Sequence, residues 1–204
     1  MELYGKMTAI ERYICRVLAV VCIPMPLTII NSLLNELGSR WVPRANKWDS
    51  KFLRELLDKL ASSGMLGITS HSVSDQWFCN RLVLELLARE SARSGEFEGV
   101  IKAAYKVNGN KFGHAFNSHE YSFDNKFHLS RELRRAIYKR EYKRARLLLE
   151  NGRYMTNPEM ESAVYGREVN YPLLFEILFN PPHEGLILNL PENLLAHVLH
   201  MSRY

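Results

Sequence analysis

The sequence predicts a mainly α protein with one small β-hairpin in its first half. Three observations lead there. Apolar residues recur at intervals of three and four through most of the chain, capping residues precede these stripes and glycine or proline closes them, and residues 65 to 79 read instead as strand, turn and strand. With 47% hydrophobic and 24% charged residues among 204, the chain can fill one large core or two small ones and falls outside the disordered and fibrous classes.

Thr8, three residues before Glu11, predicts a capped helix start, and Ile10, Ile14, Val17, Leu18 and Val21 continue the helix until Pro24 stops it. Pro26 opens a second helix, whose stripe Leu27, Ile30, Leu34 and Leu37 ends at Gly38. A polar and aromatic connector, Ser39 to Asp49, leads to a third helix. Asp49 or Ser50 caps it, Phe52, Leu53, Leu56, Leu57 and Leu60 mark it, and Ser63 with Gly64 ends it. Met65 to Thr69 then reads as a strand, Ser70 to Asp75 as a turn and Gln76 to Cys79 as the returning strand. Asn80 caps the following helix, striped by Leu82, Leu86 and Leu87.

Three helices followed directly by a hairpin is the layout of a winged helix. In detail, residues 8–94 resemble the winged-helix domain of STAND-type ATPases and MalT-like regulators. The resemblance rests on the proline-bearing junction from Leu18 to Leu27, on LRELLDKLASSGML at 53–66, and on Trp77-Phe78 leading into NRLVLELLARESAR at 80–93. In those proteins a nucleotide-binding core precedes the module, whereas here the module begins within ten residues of Met1.

The expected division is a winged-helix domain at 1–94 and a helical, repeat-like domain at 95–204. In the latter, Phe97, Val100, Ile101 and Ala104 line one helix. Ser130 caps a second, lined by Leu133, Ala136 and Ile137, and a third carries Tyr142, Ala145, Leu148 and Leu149 up to Asn151-Gly152. GEFEGVIKAA at 95–104 and REYKRARLLL at 140–149 are similar to each other in the manner of tetratricopeptide-like hairpins, although their spacing does not fit a strict 34-residue repeat. Further helices are expected at Pro172–Asn180 and Glu192–His200, on either side of Pro181-Pro182. The helical pattern is still running at His200 to Tyr204, which leads us to expect that the chain continues into a longer protein.

Val17 to Asn35 lacks charge over 19 positions, near a membrane-spanning length, but Pro24 and Pro26 interrupt it and the two sides fit separate amphipathic helices. Glu2 and Glu11 stand where a signal peptide would be cationic. Cys15 and Cys22 are separated by a helical rise of roughly 10 Å, and Cys79 is isolated, so no disulfide framework is expected. A reducing, cytoplasmic setting without membrane contact follows.

Charge is concentrated in one place. Lys126 to Arg153 holds ten Lys or Arg against three Glu, a net +7 in a chain of net +5, so the remainder sums to −2. Arg135, Lys139 and Lys143 fall at four-residue intervals with Tyr138 and Tyr142 between them, a pattern able to meet phosphates and stack on bases. The competing readings are a solvated face and a surface for an acidic protein. Arg131, Arg134, Arg135, Lys139, Tyr142, Lys143 and Arg146 form the candidate contact set on this hairpin. The connector adds Arg40, Trp41, Arg44 and Lys47, next to Trp48; its tryptophans serve either as grips or as core anchors. Groove reading by the third helix is not expected. It mixes Lys51, Arg54 and Lys59 with Glu55 and Asp58, and its wing, SHSVSDQ, has an acid and no Lys or Arg.

No enzyme signature emerges. G-x-x-x-x-G-K-[ST] and G-x-S-x-G are absent, NGNKFG at 108–113 has the wrong spacing to wrap a phosphate, and His119-Glu120 lacks a nucleophile nearby. The seven histidines make no zinc pattern with the cysteines, and His197 with His200 lacks a third ligand. The expectation is a non-catalytic accessory or regulatory region without metal, cofactor or small-molecule substrate. It would associate with nucleic acid through the basic hairpin, for example ahead of an ATPase or helicase core. The alternative is a protein-protein interaction module of a STAND-like signalling or regulatory protein.

Overall fold

Thr8 begins the first long helix as its spacing from Glu11 requires: its hydroxyl accepts from the Glu11 amide at 3.3 Å and Glu11 Oε2 accepts from the Thr8 amide at 2.7 Å. The computed structural model describes residues 2–38, 48–70, 74–108, 122–123, 126–151, 153–154, 171–179, 182 and 184–201. They belong to two compact units, Met1–Asn110 and Lys111–Tyr204, mainly helical and with little strand.

The first unit contains α1 (Glu2–Lys6), α2 (Ala9–Val21), β1 (Met25–Pro26), α3 (Leu27–Glu36), α4 (Ser50–Ser62), β2 (Leu66–Ser70), β3 (Asp75–Cys79), α5 (Arg81–Arg93) and α6 (Phe97–Asn108). Its sheet is antiparallel in the order β1-β3-β2, with Trp77 opposite both Met25 and Ile68. The pair of residues forming β1 lies where the prolines signalled only a break. Asp49 and Asn80 cap α4 and α5 through their side chains. At the far ends of these helices, Gly64 and Gly95 take the left-handed conformation, so that the Met65 amide reaches back to the Leu60 carbonyl and the Glu96 amide to that of Ser91. Asn31 and Asn35, one turn apart on α3, hold the returning chain: Asn31 Nδ2 donates to the Trp48 carbonyl at 3.0 Å and the Trp48 amide donates to Asn35 Oδ1 at 3.3 Å.

Helix α2 is the centre of this unit, with Ile14, Val17, Leu18, Ala19, Val20 and Val21 nearly or fully buried beneath α5 and α6. Because α6 also packs on α3, it belongs to the first unit, where the sequence reading had placed it beyond the 94/95 division. Phe97, Val100, Ile101 and Ala104 supply its buried face. Two stripe residues differ from expectation. Phe52 is half exposed and stacks against buried Trp48, and Leu82 in the first turn of α5 points to water, while Glu85, Leu87, Ala88 and Arg89 are buried in its place. Polar links tie the helices. Tyr4 donates to Glu90 Oε2 at 2.7 Å, burial pushing its hydroxyl up to about 12, and Arg16 bridges Glu90 and Glu96.

Glu11 carries a pH dependence. Buried to 4% exposure, it caps α2 and also accepts from Lys59 Nζ at 2.7 Å on α4. The Lys59 bond first, then the Thr8 amide, hold its carboxyl below the ordinary 4.5. A depressed folded value means the contribution is present above the ordinary value and is lost as pH falls from there through the folded one. We therefore expect Glu11→Gln to cost about 1 kcal/mol at neutral pH, discounted because Lys59 is largely exposed, and the gap from wild type to close on acidification. Urea midpoints measured between about pH 7 and about pH 3 check this; a gap that widens on acidification would contradict it.

The second unit holds β4 (Ser122–Phe123), α7 (Lys126–Tyr138), α8 (Tyr142–Asn151), β5 (Arg153–Tyr154), α9 (Tyr171–Phe179), α10 (Glu184–Ile187) and α11 (Glu192–Met201). β4 and β5 pair in parallel. The short α10 fills the stretch that the paired prolines had marked only as a break. Ser130, read as a cap, lies inside α7 because that helix starts a turn earlier; its hydroxyl accepts from Arg134 Nη1.

Candidate nucleic-acid interface

The candidate surface is built on the α7–α8 hairpin, whose apolar side is fixed first. Leu129, Leu133, Ala136 and Ile137 of α7 join Ala145, Leu148 and Leu149 of α8 and Leu173, Leu174, Ile177 and Leu178 of α9 in one buried cluster. Tyr138 and Tyr142 pack against it from the edge, and the Tyr142 hydroxyl oxygen is enclosed. These rings are therefore part of the packing, where the sequence suggested stacking platforms between cations.

Helix α7 is also covered on its polar side. Arg131 is 1% and Arg134 3% exposed, and Ser130 and Glu132 of the same turns are buried as well. Both arginines were candidate contacts, and burial removes them from that role. An arginine is read from sequence as a surface residue because so few are buried, and nothing local signals that β4 and β5 pack on α7.

Glu132 organises the charges that remain. Its Oε2 accepts from Arg135 Nη1 at 3.4 Å and from Arg144 Nη2 at 3.0 Å, which joins the polar edges of the two helices. Arg146 Nε donates to Glu150 Oε1 at 2.7 Å within α8. Between the helices, Arg140 takes φ 61°, and the amides of Arg140 and Glu141 close back onto the carbonyls of Ile137 and Ala136. This is the same helix ending that Gly64 and Gly95 make, formed here by a cation. Lys139 thus lies in the turn after α7 and Lys143 in α8, so Arg135, Lys139 and Lys143 do not share one helix face as their four-residue spacing implied.

The outcome is an exposed turn. Residues 139–146 contain five Lys or Arg and one Glu, net +4, and Lys139, Arg140, Lys143, Arg144 and Arg146 all reach solvent. Arg140 and Arg144 were absent from the candidate set. The signal for Arg140 was its place two residues after the last apolar pair of α7, Ile137 and Tyr138. The connector candidates Arg40, Trp41, Arg44 and Lys47 lie outside the described residues; the adjacent Trp48 is buried at 4% exposure and is a core anchor.

In the first unit two of the three cations of α4, Arg54 and Lys59, are engaged by acids. Arg54 Nη2 bonds Asp75 Oδ2 at 2.9 Å with its guanidinium over Trp77, and Lys59 is held by Glu11. Among the described residues no three His, Cys, Asp or Glu side chains are grouped to hold a metal, and no helix is long and apolar enough to cross a membrane. Compared with known proteins, the chain matches no family model, no curated protein and no solved structure.

Proposed function

We propose that the chain is a nucleic-acid-associated accessory or regulatory module that holds a phosphate backbone at the α7–α8 turn. The observation that carries this reading is the net +4 over residues 139–146, exposed on a turn whose base is locked into a buried apolar cluster. We further propose that the first unit is a winged helix. Its support is the order α2, β1, α3, α4, β2, β3 with the sheet arranged β1-β3-β2. In this reading α4 does not enter a groove, since Arg54 and Lys59 answer Asp75 and Glu11.

One observation favours a second reading, a protein-interaction module. The face of α4 combines half-exposed Phe52 with charges of both signs, a composition closer to a protein contact than to a phosphate-binding surface.

The two readings separate on salt. Fluorescence titration of labelled DNA and RNA at about 50 and about 200 mM salt is expected to show binding that weakens steeply with salt. The double variant Lys139→Glu, Lys143→Glu is expected to bind on the order of tenfold more weakly and to lower the salt slope by about 2. Both positions are exposed, and unchanged circular dichroism would verify folding. Absence of wild-type binding at the lower salt, or an unaffected variant, would leave the protein-interaction reading in its place.

A further inference from the structure

We propose that the chain forms a two-fold dimer by pairing β2 antiparallel with β2 of a second copy. The sheet has two edges, and they differ. At the β1 edge Pro26 has no amide to donate, and the chain turns at once into α3 at Leu27. At the β2 edge the sequence Leu66-Gly67-Ile68-Thr69-Ser70 holds no charge and no proline, and its register against β3 runs unbroken, without a bulge. Edge strands of monomers are ordinarily guarded by one of these devices.

The ladder fixes which groups of β2 face outward. The Asn80 amide donates to the Met65 carbonyl at 3.0 Å, and an antiparallel ladder alternates, so Gly67 and Thr69 bond β3 while Leu66, Ile68 and Ser70 turn their amides and carbonyls away from it. Pairing centred on Ile68 sets this residue against Ile68 of the partner subunit and Leu66 against Ser70 of the partner subunit. Every outward donor and acceptor of the strand is satisfied in that one register.

The side chains favour a second copy over an unrelated strand. Ile68 is 46% exposed and is covered by its own counterpart, and the pairing opposes no like charges because β2 carries none. On the other face the ring of Phe78 lies across Gly67, where a Cβ would collide with it, and Thr69 of the partner subunit comes opposite this glycine. The joined sheet runs β1-β3-β2-β2-β3-β1, with Pro26 at both ends. Assembly therefore closes at two copies.

A short edge buries less than the roughly 1,200 Å² of a standard interface, so the expected dissociation constant is on the order of 10–100 µM. Sedimentation equilibrium of the full chain from about 1 to about 500 µM should show monomer and dimer only. Ile68→Lys opposes like charges across the axis, and Ile68→Pro removes an outward amide that β3 does not use; each is expected to weaken dimerisation by at least about tenfold, with folding checked by circular dichroism. A cross-link supplies a readout that needs no disruptive change. Ile68→Cys sets paired Cα atoms about 5.5 Å apart, within disulfide reach, and should join two chains under mild oxidation, whereas Thr69→Cys should not. The three native cysteines are buried and do not compete. A monomer at every concentration overturns the proposal and leaves the edge to a strand of another protein. A dimer that survives both Ile68→Lys and Ile68→Pro, equal cross-linking through Ile68→Cys and Thr69→Cys, or growth past two copies overturns it as well.

Discussion

Glu132→Gln is expected to destabilise the second unit by about 3 kcal/mol, although it removes no atom from the packing. The carboxylate is enclosed and receives Arg135 and Arg144, while Arg131 and Arg134 are buried on either side of it in the same helix. Two guanidiniums thus bond one enclosed acid, and an amide retains the shape but not the charge. Arg144 is half exposed and regains water when released, which keeps the cost below that of a fully buried orphan. Amide exchange across α7 and α8 measures the effect where it arises. Glu150→Gln, which unlinks only the exposed Arg146, serves as the control and should change stability by less than about 0.5 kcal/mol. Equal losses in the two variants would refute the organising role given to Glu132.

Trp77→Ala should be the most damaging change in the first unit, at about 3–5 kcal/mol. Trp77 is 1% exposed on the middle strand, opposite Met25 on one side and Ile68 on the other. Its Nε1 donates to Asp58 Oδ1 at 3.2 Å, and the Arg54 guanidinium lies 5.8 Å from its ring centroid. One side chain therefore joins all three strands to α4. Trp77→Phe keeps much of the apolar volume and gives up the Asp58 bond, for an expected cost of about 1–2 kcal/mol. Urea unfolding followed by circular dichroism distinguishes the two; an alanine variant no worse than the phenylalanine one would show that the cavity is not what matters.

The local rules that the sequence obeys account for most of the helices. Thr8 with Glu11, Asp49 and Asn80 are caps whose chemistry is written in three or four adjacent residues, and Gly64 and Gly95 are stops of the same kind. The hairpin was legible because alternation and a polar turn are also local. What was not legible depends on distant partners. Two-residue β1 exists only because Trp77 and Gln76 lie opposite it. Leu82 and Phe52 satisfy a helical stripe yet face outward, since the stripe is wider than the surface that covers it. The basic hairpin divided in the same way: its charge was visible as composition, but the burial of Arg131 and Arg134 and the pairing of Arg144 with Glu132 required the neighbouring elements.

The left-handed Arg140 has a consequence for proteolysis. A stretch reading Lys139-Arg140-Glu141-Tyr142-Lys143-Arg144 offers a trypsin-like protease four cleavable bonds in six residues, all at the surface. Such an enzyme must draw several residues into an extended strand, however, and here three amides are folded back onto α7 while the Ala145 amide closes onto the Glu141 carbonyl to begin α8. Cutting therefore waits on the opening of the helix ends, and its rate reports the free energy of that opening rather than the abundance of cleavable bonds.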